Sequence, residues 1–223
     1  FSGACAADDS GCTDSGAVNY DPTATEDDGS CIFIPNLTIQ EIHGSDFSGT
    51  VVTSGVVTGV YGNSGALGGQ SSYVIQSGNG AFSGIWVIGD GVEVGDQIEV
   101  VGMVTEVYGL RQIQSAVLTV QSSGNALPAA EALASADMND EQWESVLVSI
   151  AGECTSVNGF GEWQLNDGSG NGMVAGLGYD AVDDSVDVDG VMMGIVELGA
   201  NYQVTGPNFY SFGNWKLSPR DTA

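Results

Sequence analysis

The side chains in this chain best suited to chemistry are hard oxygen donors. Asp14, Asn19, Asp21, Asp27 and Asp28 fall between Gly11 and Cys31, with Gly29 directly after them. Calcium takes roughly six to eight oxygen ligands around a sharp, glycine-permitted turn. Calcium is therefore the expected cofactor, with those five residues as its ligands. The spacing is not that of an EF-hand, and the same residues also read as a solvated acidic loop. Reactive groups elsewhere are scarce. His43 is the single histidine, and no G-x-S-x-G elbow, Walker loop, zincin helix or C-x-x-C pair accompanies it. A serine relay needs a positioned histidine with partners on both sides. Among 29 acidic residues, nearness in sequence marks no carboxylate pair as catalytic. The chain is expected not to be an enzyme, and His43 to be a structural residue of a first strand.

These residues need a scaffold, and the composition indicates β-structure. Thirty-four glycines, five prolines and 42% hydrophobic residues accompany short alternating runs of Val, Ile, Thr and aromatics. Only residues 129–145 look helical over any distance. Three Lys and Arg against 29 Asp and Glu give a net charge of -26. Phosphate binding depends on clustered cations releasing counterions, and Arg111, Lys216 and Arg220 cannot build a basic groove. Nucleic acid is excluded as a partner on that ground. No apolar run reaches the roughly 20 residues that cross a bilayer as a helix, so membrane insertion is not expected.

The stretch GCTDSGAVNYDPTATEDDGSC, Gly11 to Cys31, resembles a short repeat of secreted and surface proteins of Bacteroidetes-type bacteria, built around GCTD, NYDP, AT and DDGSC. A further cysteine that the family often carries before the Asn is replaced here by Val18. The resemblance implies an extracellular location. Cys12 and Cys31 are expected to pair, since so short and polar a loop has no core to hold it.

Beyond Pro35 the segments GTVVTSGVVTGVYG, SYVIQSG, GIWVIGDG and VEVGDQIEVVGMVTEVYGLRQI resemble OB-like domains attached to secreted bacterial nucleases. Internal comparison finds a second copy. Residues 146–157 parallel 51–60, residues 162–170 parallel 72–80, DSVDVDG at 184–190 parallels DQIEVVG at 96–102, and NWKLSPRD resembles a last strand. The expected architecture is all-β: two tandem OB-like Greek-key barrels behind a small disulfide-bridged module. Its parts are a tail at 1–10, the module at 11–35, barrels at 36–125 and 146–223, and a helical linker at 126–145. The acidic run 180–193 reads as a strand with a solvated face rather than a second metal site.

Tyr73, Trp86 and Trp163 are candidate stacking platforms, but packing is the stronger reading of these rings. Cys154 shares parity with Val146, Val148 and Ile150, as a small buried residue would. Cys5 lies in a polar tail, and a Cys5–Cys154 disulfide, within or between subunits, is the alternative. The patterns DSV and DTA make Ser185 and Thr222 candidate O-glycosylation sites by the same bacterial resemblance.

The function these features lead to is a non-enzymatic extracellular structural protein, the subunit of a self-assembling filament or adhesive appendage. Its partner would be the chain itself, joined head to tail, because repeated contact between unlike ends gives an open polymer. The tail FSGACAADDS would be added to a neighbour's barrel edge. Two other readings stand beside it. One is a non-catalytic accessory region of a larger secreted hydrolase. The other is a carbohydrate- or ligand-binding module using Trp86, Trp163 or Trp215.

Overall fold

A computed structural model describes residues 9–45, 47–61, 71–158, 161–175 and 196–220. The chain forms two compact units, Phe1–Asn36 and Leu37–Ala223. The first is the cysteine module. Its two-residue strands β1 (Ser10–Gly11) and β2 (Glu26–Asp27) pair in parallel, and the Cys12–Cys31 disulfide, Cα to Cα 4.7 Å, closes the loop between them.

The second unit opens on a helix. IQEIHG, expected as a strand, forms α1 (Ile39–His43), because Thr38 and Glu41 make a reciprocal capping box. Ile39 and Ile42 then fall one turn apart and are buried in the first core. Five strands follow: β3 (Thr50–Tyr61), β4 (Ser71–Gln76), β5 (Gly84–Gly89), β6 (Gln97–Val107) and β7 (Leu110–Ser122). They close into a barrel in the order β3-β4-β5-β7-β6, antiparallel except where β5 meets β7. Val51, Val57, Ile75, Val87, Ile98, Val100 and Ile113 fill it.

The run at 129–145 holds no α-helix. It contributes β8 (Glu131–Ala132) and single 3-10 turns at Asp137–Asn139 and Glu141–Trp143. The Asp140 side chain caps the second turn by accepting from the Gln142 amide, which splits the run into pieces too short to propagate a helix.

β9 (Leu147–Val157), β10 (Trp163–Asn166), β11 (Asn171–Val174), β12 (Asn201–Ser211) and β13 (Asn214–Leu217) form a second ring, with β8 added on β9. β9 pairs with β10, β10 with β11, β11 with β13 in parallel, β13 with β12, and β12 with β9. Strand for strand this repeats the first ring. The fourth strand is β12, so the expected equivalence of 184–190 with β6 is corrected; residues 184–190 themselves lie outside the described residues. Gly206-Pro207 disguises β12 as a turn. The proline, which has no N–H to donate, sits where β12 leaves β9 and takes up β13.

Candidate functional site

The five expected calcium ligands lie in one module, but one oxygen of each is engaged locally. Asp14 accepts from the Gly16 amide at 2.8 Å, Asp27 from Gly29 at 3.1 Å and Asp28 from Ser30 at 2.9 Å. Asp21 accepts from both the amide and the hydroxyl of Thr23, which hold its carboxyl below the usual range. Ser30 does the same to Asp28. Asn19 clamps the loop end, donating to the Ser30 carbonyl and accepting from the Ile32 amide, both at 2.7 Å. These are side-chain turns that fix a short polar loop without a core. Among the described residues no three His, Cys, Asp or Glu side chains converge on a metal-sized site. As folded, the donors are spread over separate side-chain turns.

Two of the three expected tryptophan platforms, Trp86 and Trp163, are closed to a ligand. OB-like rings bind through the face of their second and third strands, here β4 and β5. In the first ring both faces of these strands are buried. Val74, Trp86 and Ile88, together with Tyr61 and Leu110, pack against Ala175 and Phe209 of the second ring. Trp86 is only 7% exposed, with Tyr61 and Phe209 at ring-centroid distances of 4.5 and 5.8 Å. Trp163 points the other way, into the second core, where it meets Tyr202 edge-on. Trp215 is partly buried against that core, 5.0 Å from Tyr210. Tyr73 is an inner-core residue whose hydroxyl accepts from the Gly91 amide.

The cations are engaged as well. Arg111 donates to the Ser45 and Phe47 carbonyls, and Lys216 pairs with Glu162 while lying over the Phe212 ring. His43 Nε2 lies 2.8 Å from the Gly84 carbonyl, and burial pushes its pKa down. Cys154 is a free thiol buried in the second core, and burial raises its pKa. Its expected partner Cys5, like Ser185 and Thr222, lies outside the described residues.

The most unusual chemistry sits at the seam between the rings, which the sequence reading did not single out. Gln76, buried in β4, accepts from the Leu147 amide at 2.9 Å. The Phe82 amide donates to the Gln142 carbonyl, and the Arg111 amide to Glu144 Oε1 at 3.0 Å. Glu144 is 2% exposed. Burial first, then the like charges of Glu141 and Glu106, raise its pKa to about 8 against the pull of the Arg111 amide and guanidinium. Its sequence context, DEQWES, looks like any solvated acidic turn. One signal was legible, however. At the equivalent cross-strand pair the first ring has Val74 opposite Trp86 and the second has Gln164 opposite Met173. An apolar outer face in one copy and a polar one in the other mark the side on which the copies dock.

This seam should weaken as the pH rises. The folded Glu144 carboxyl keeps its proton up to about pH 8, whereas the unfolded one loses it near 4.5. The unfolded state is therefore the one favoured by ionisation through that window, and stability falls across it. Glu144→Gln keeps the shape and removes the charge. The variant is expected to match the parent near pH 4.5 and exceed it by about 2–4 kcal/mol at pH 8.5 in urea titrations. Parallel pH profiles for the two proteins would contradict this.

No protein-family model matches the chain, and no curated protein is similar to it.

Proposed function

We propose that this protein is a non-enzymatic extracellular structural subunit, one that self-assembles into a surface filament or adhesive appendage. The observation that carries the reading is the use of the first ring's β4–β5 face for contact with the second ring. A face that in OB-like rings takes ligands here joins two barrels into one body, as suits a building block. The corresponding outer face of the second ring carries Gln164, Asn166 and Asn171 beside Met173 and is polar enough to end that stacking at two. Further association must then use other surfaces. The Cys12–Cys31 disulfide is consistent with an oxidising, extracellular setting, and among the described residues no helix is long and apolar enough to cross a membrane.

Subunits of charge -26 repel one another, so assembly is expected to need salt or divalent ions. Calcium belongs to the proposal in that role. Light scattering and electron microscopy of the full chain, with calcium, with chelator, and in Cys5→Ser and residue 1–10 deletion variants, test it. Extended polymers that dissolve on chelation are the expected result. Monodisperse monomers in every condition would refute the filament reading.

A ligand-binding surface module is the second reading, and it now rests on different residues. Tyr108 and Phe212 occupy equivalent hairpin tips, each followed by glycine, each at positive φ and each more than 80% exposed. Bulky residues seldom hold that conformation without a use. Retention on an immobilised glycan that Tyr108→Ala and Phe212→Ala abolish would favour this reading.

A further inference from the structure

The geometry points to the outer edge of β7, residues 116–120, as a strand-pairing surface on which a second copy of this chain docks edge to edge. This goes beyond the filament proposal, since it names a contact and a symmetry that the proposal does not require.

β7 is a full member of the barrel only at its start. Its parallel pairing with β5 is confined to Gln112 and Ile113, whereas its antiparallel pairing with β6 runs on to Ser122. Between these regions the register shifts, with Ser115 at φ +51. Such a bulge bends a strand out of one pairing while it keeps the other. Past the bulge, among the described residues, β7 is bonded to a strand on one side only. Its free backbone groups form a template for another strand.

Natural proteins guard such edges with lysine, proline, inward charges or interruptions. Residues 112–130 contain no Asp, Glu, Lys or Arg, and the only proline is Pro128, beyond the strand. The bulge at Ser115 opens the edge and a second register shift, between Val120 and Ser122, closes it, so the run from Ala116 to Val120 is itself uninterrupted. Instead the edge is apolar: Val117 is 65% exposed and Val120 43%, and Met103 on the neighbouring strand is 51% exposed. Val117 lies opposite Val101, which lies opposite Val52, so the apolar row continues across three strands. Ala116 and Leu118 pack against the core from the other face and hold the strand in place.

Charge selects the partner. Of the 29 acidic residues, the segment from Phe47 to Ala130 holds five: Asp90, Glu93, Asp96, Glu99 and Glu106. The first ring is thus where two strongly acidic copies approach with least repulsion. An edge also matches itself. Two antiparallel β7 edges related by a two-fold axis have equal length and matching alternation, the self-complementary arrangement of an isologous contact. Backbone pairing supplies the bonds, and Val117, with Val101 and Met103 on the same outer face, supplies the apolar cover.

The test is the mass of the full chain by size-exclusion chromatography with light scattering, in low and in raised salt. A dimer that strengthens with salt is expected, because screening weakens the acidic repulsion. Val117→Lys combined with Thr119→Lys should give monomers with an unchanged melting temperature, since both side chains are exposed on the outer face. Those lysines reduce the net negative charge, so a purely electrostatic model expects the opposite. Deleting residues 1–10 should leave the dimer intact. Monomers in every salt, a dimer indifferent to the two lysines, or a dimer lost with residues 1–10 would each overturn the proposal. Dimers without fibres would count against the filament alone. Fibres still formed by the double-lysine variant would count against this edge alone.

Discussion

Gly84→Ala is expected to be among the most damaging single substitutions in this protein. A Cβ at position 84 would lie 1.8 Å from the Ser145 carbonyl oxygen and 2.3 Å from its carbon. No rotamer relieves this, because both partners are backbone. Ser145 cannot move aside cheaply, as it is held at φ +59 with its amide donating to the Asn208 carbonyl at 2.7 Å. The β4–β5 pair and the linker must therefore separate, taking with them the bond from Leu147 to Gln76. A loss above about 4 kcal/mol in chemical denaturation is expected. Hydrogen exchange should rise at Leu147 and Arg111, whose amides are bonded across the seam. Gly49→Ala is the control: its Cβ meets only the end of the Phe47 ring, a flexible neighbour, and less than about 1 kcal/mol should follow. Similar losses for both variants would show that close backbone approach is not what position 84 requires.

Trp86→Ala should cost about 3–5 kcal/mol, the range for removing a large buried aromatic side chain. The ring fills the space between Tyr61 and Phe209, so its loss leaves a cavity between the barrels rather than within either one. The location makes a sharper expectation than the magnitude. The barrels have separate cores, centred on Ile75 and Ile98 in one and on Ile150 and Leu165 in the other. Weakening the contact between them should turn one unfolding transition into two, with the near-UV signal of the first ring changing separately from the second. Phe209→Ala should do the same, and the double variant should fall short of the summed losses by about 0.5–1.5 kcal/mol, the coupling of one aromatic pair. Full additivity, or a single transition in all three variants, would place the barrel docking elsewhere.

Both outcomes depend on residues whose sequence context looks ordinary. Gly84 begins the run GIWVIG, and that run reads as a strand whether one face or two are covered. The all-β class, the two copies and most strands were legible because alternation and turn residues are local properties, imposed by a side-chain period of two and by the φ that glycine permits. The Cys12–Cys31 bridge was legible for a related reason: so short a polar loop has no other means of being held. Two elements misled on the same physics. A capping box made IQEIHG a helix where β-branched content indicated a strand. The likeness of DSVDVDG to DQIEVVG drew the second copy's fourth strand to 184–190, whereas that strand is β12, whose proline falls at a change of partner.

Burial on the outside of a barrel was decided only by tertiary structure. The pattern of β4 and β5 could not tell whether Trp86 faces solvent, a ligand or another barrel, because that depends on how the copies dock. The same holds for Glu144. An acidic side chain in a polar turn has an ordinary pKa by default, and it is the arrival of the first ring over residues 141–145 that strips its water and raises its pKa to about 8. The acidic module shows the converse. Its sequence supplies enough oxygens for a cation, but folding turns one oxygen of each of the five side chains towards a nearby amide of the loop. Composition sets which groups are present; where each lone pair points is fixed by backbone turns that form only when the loop closes.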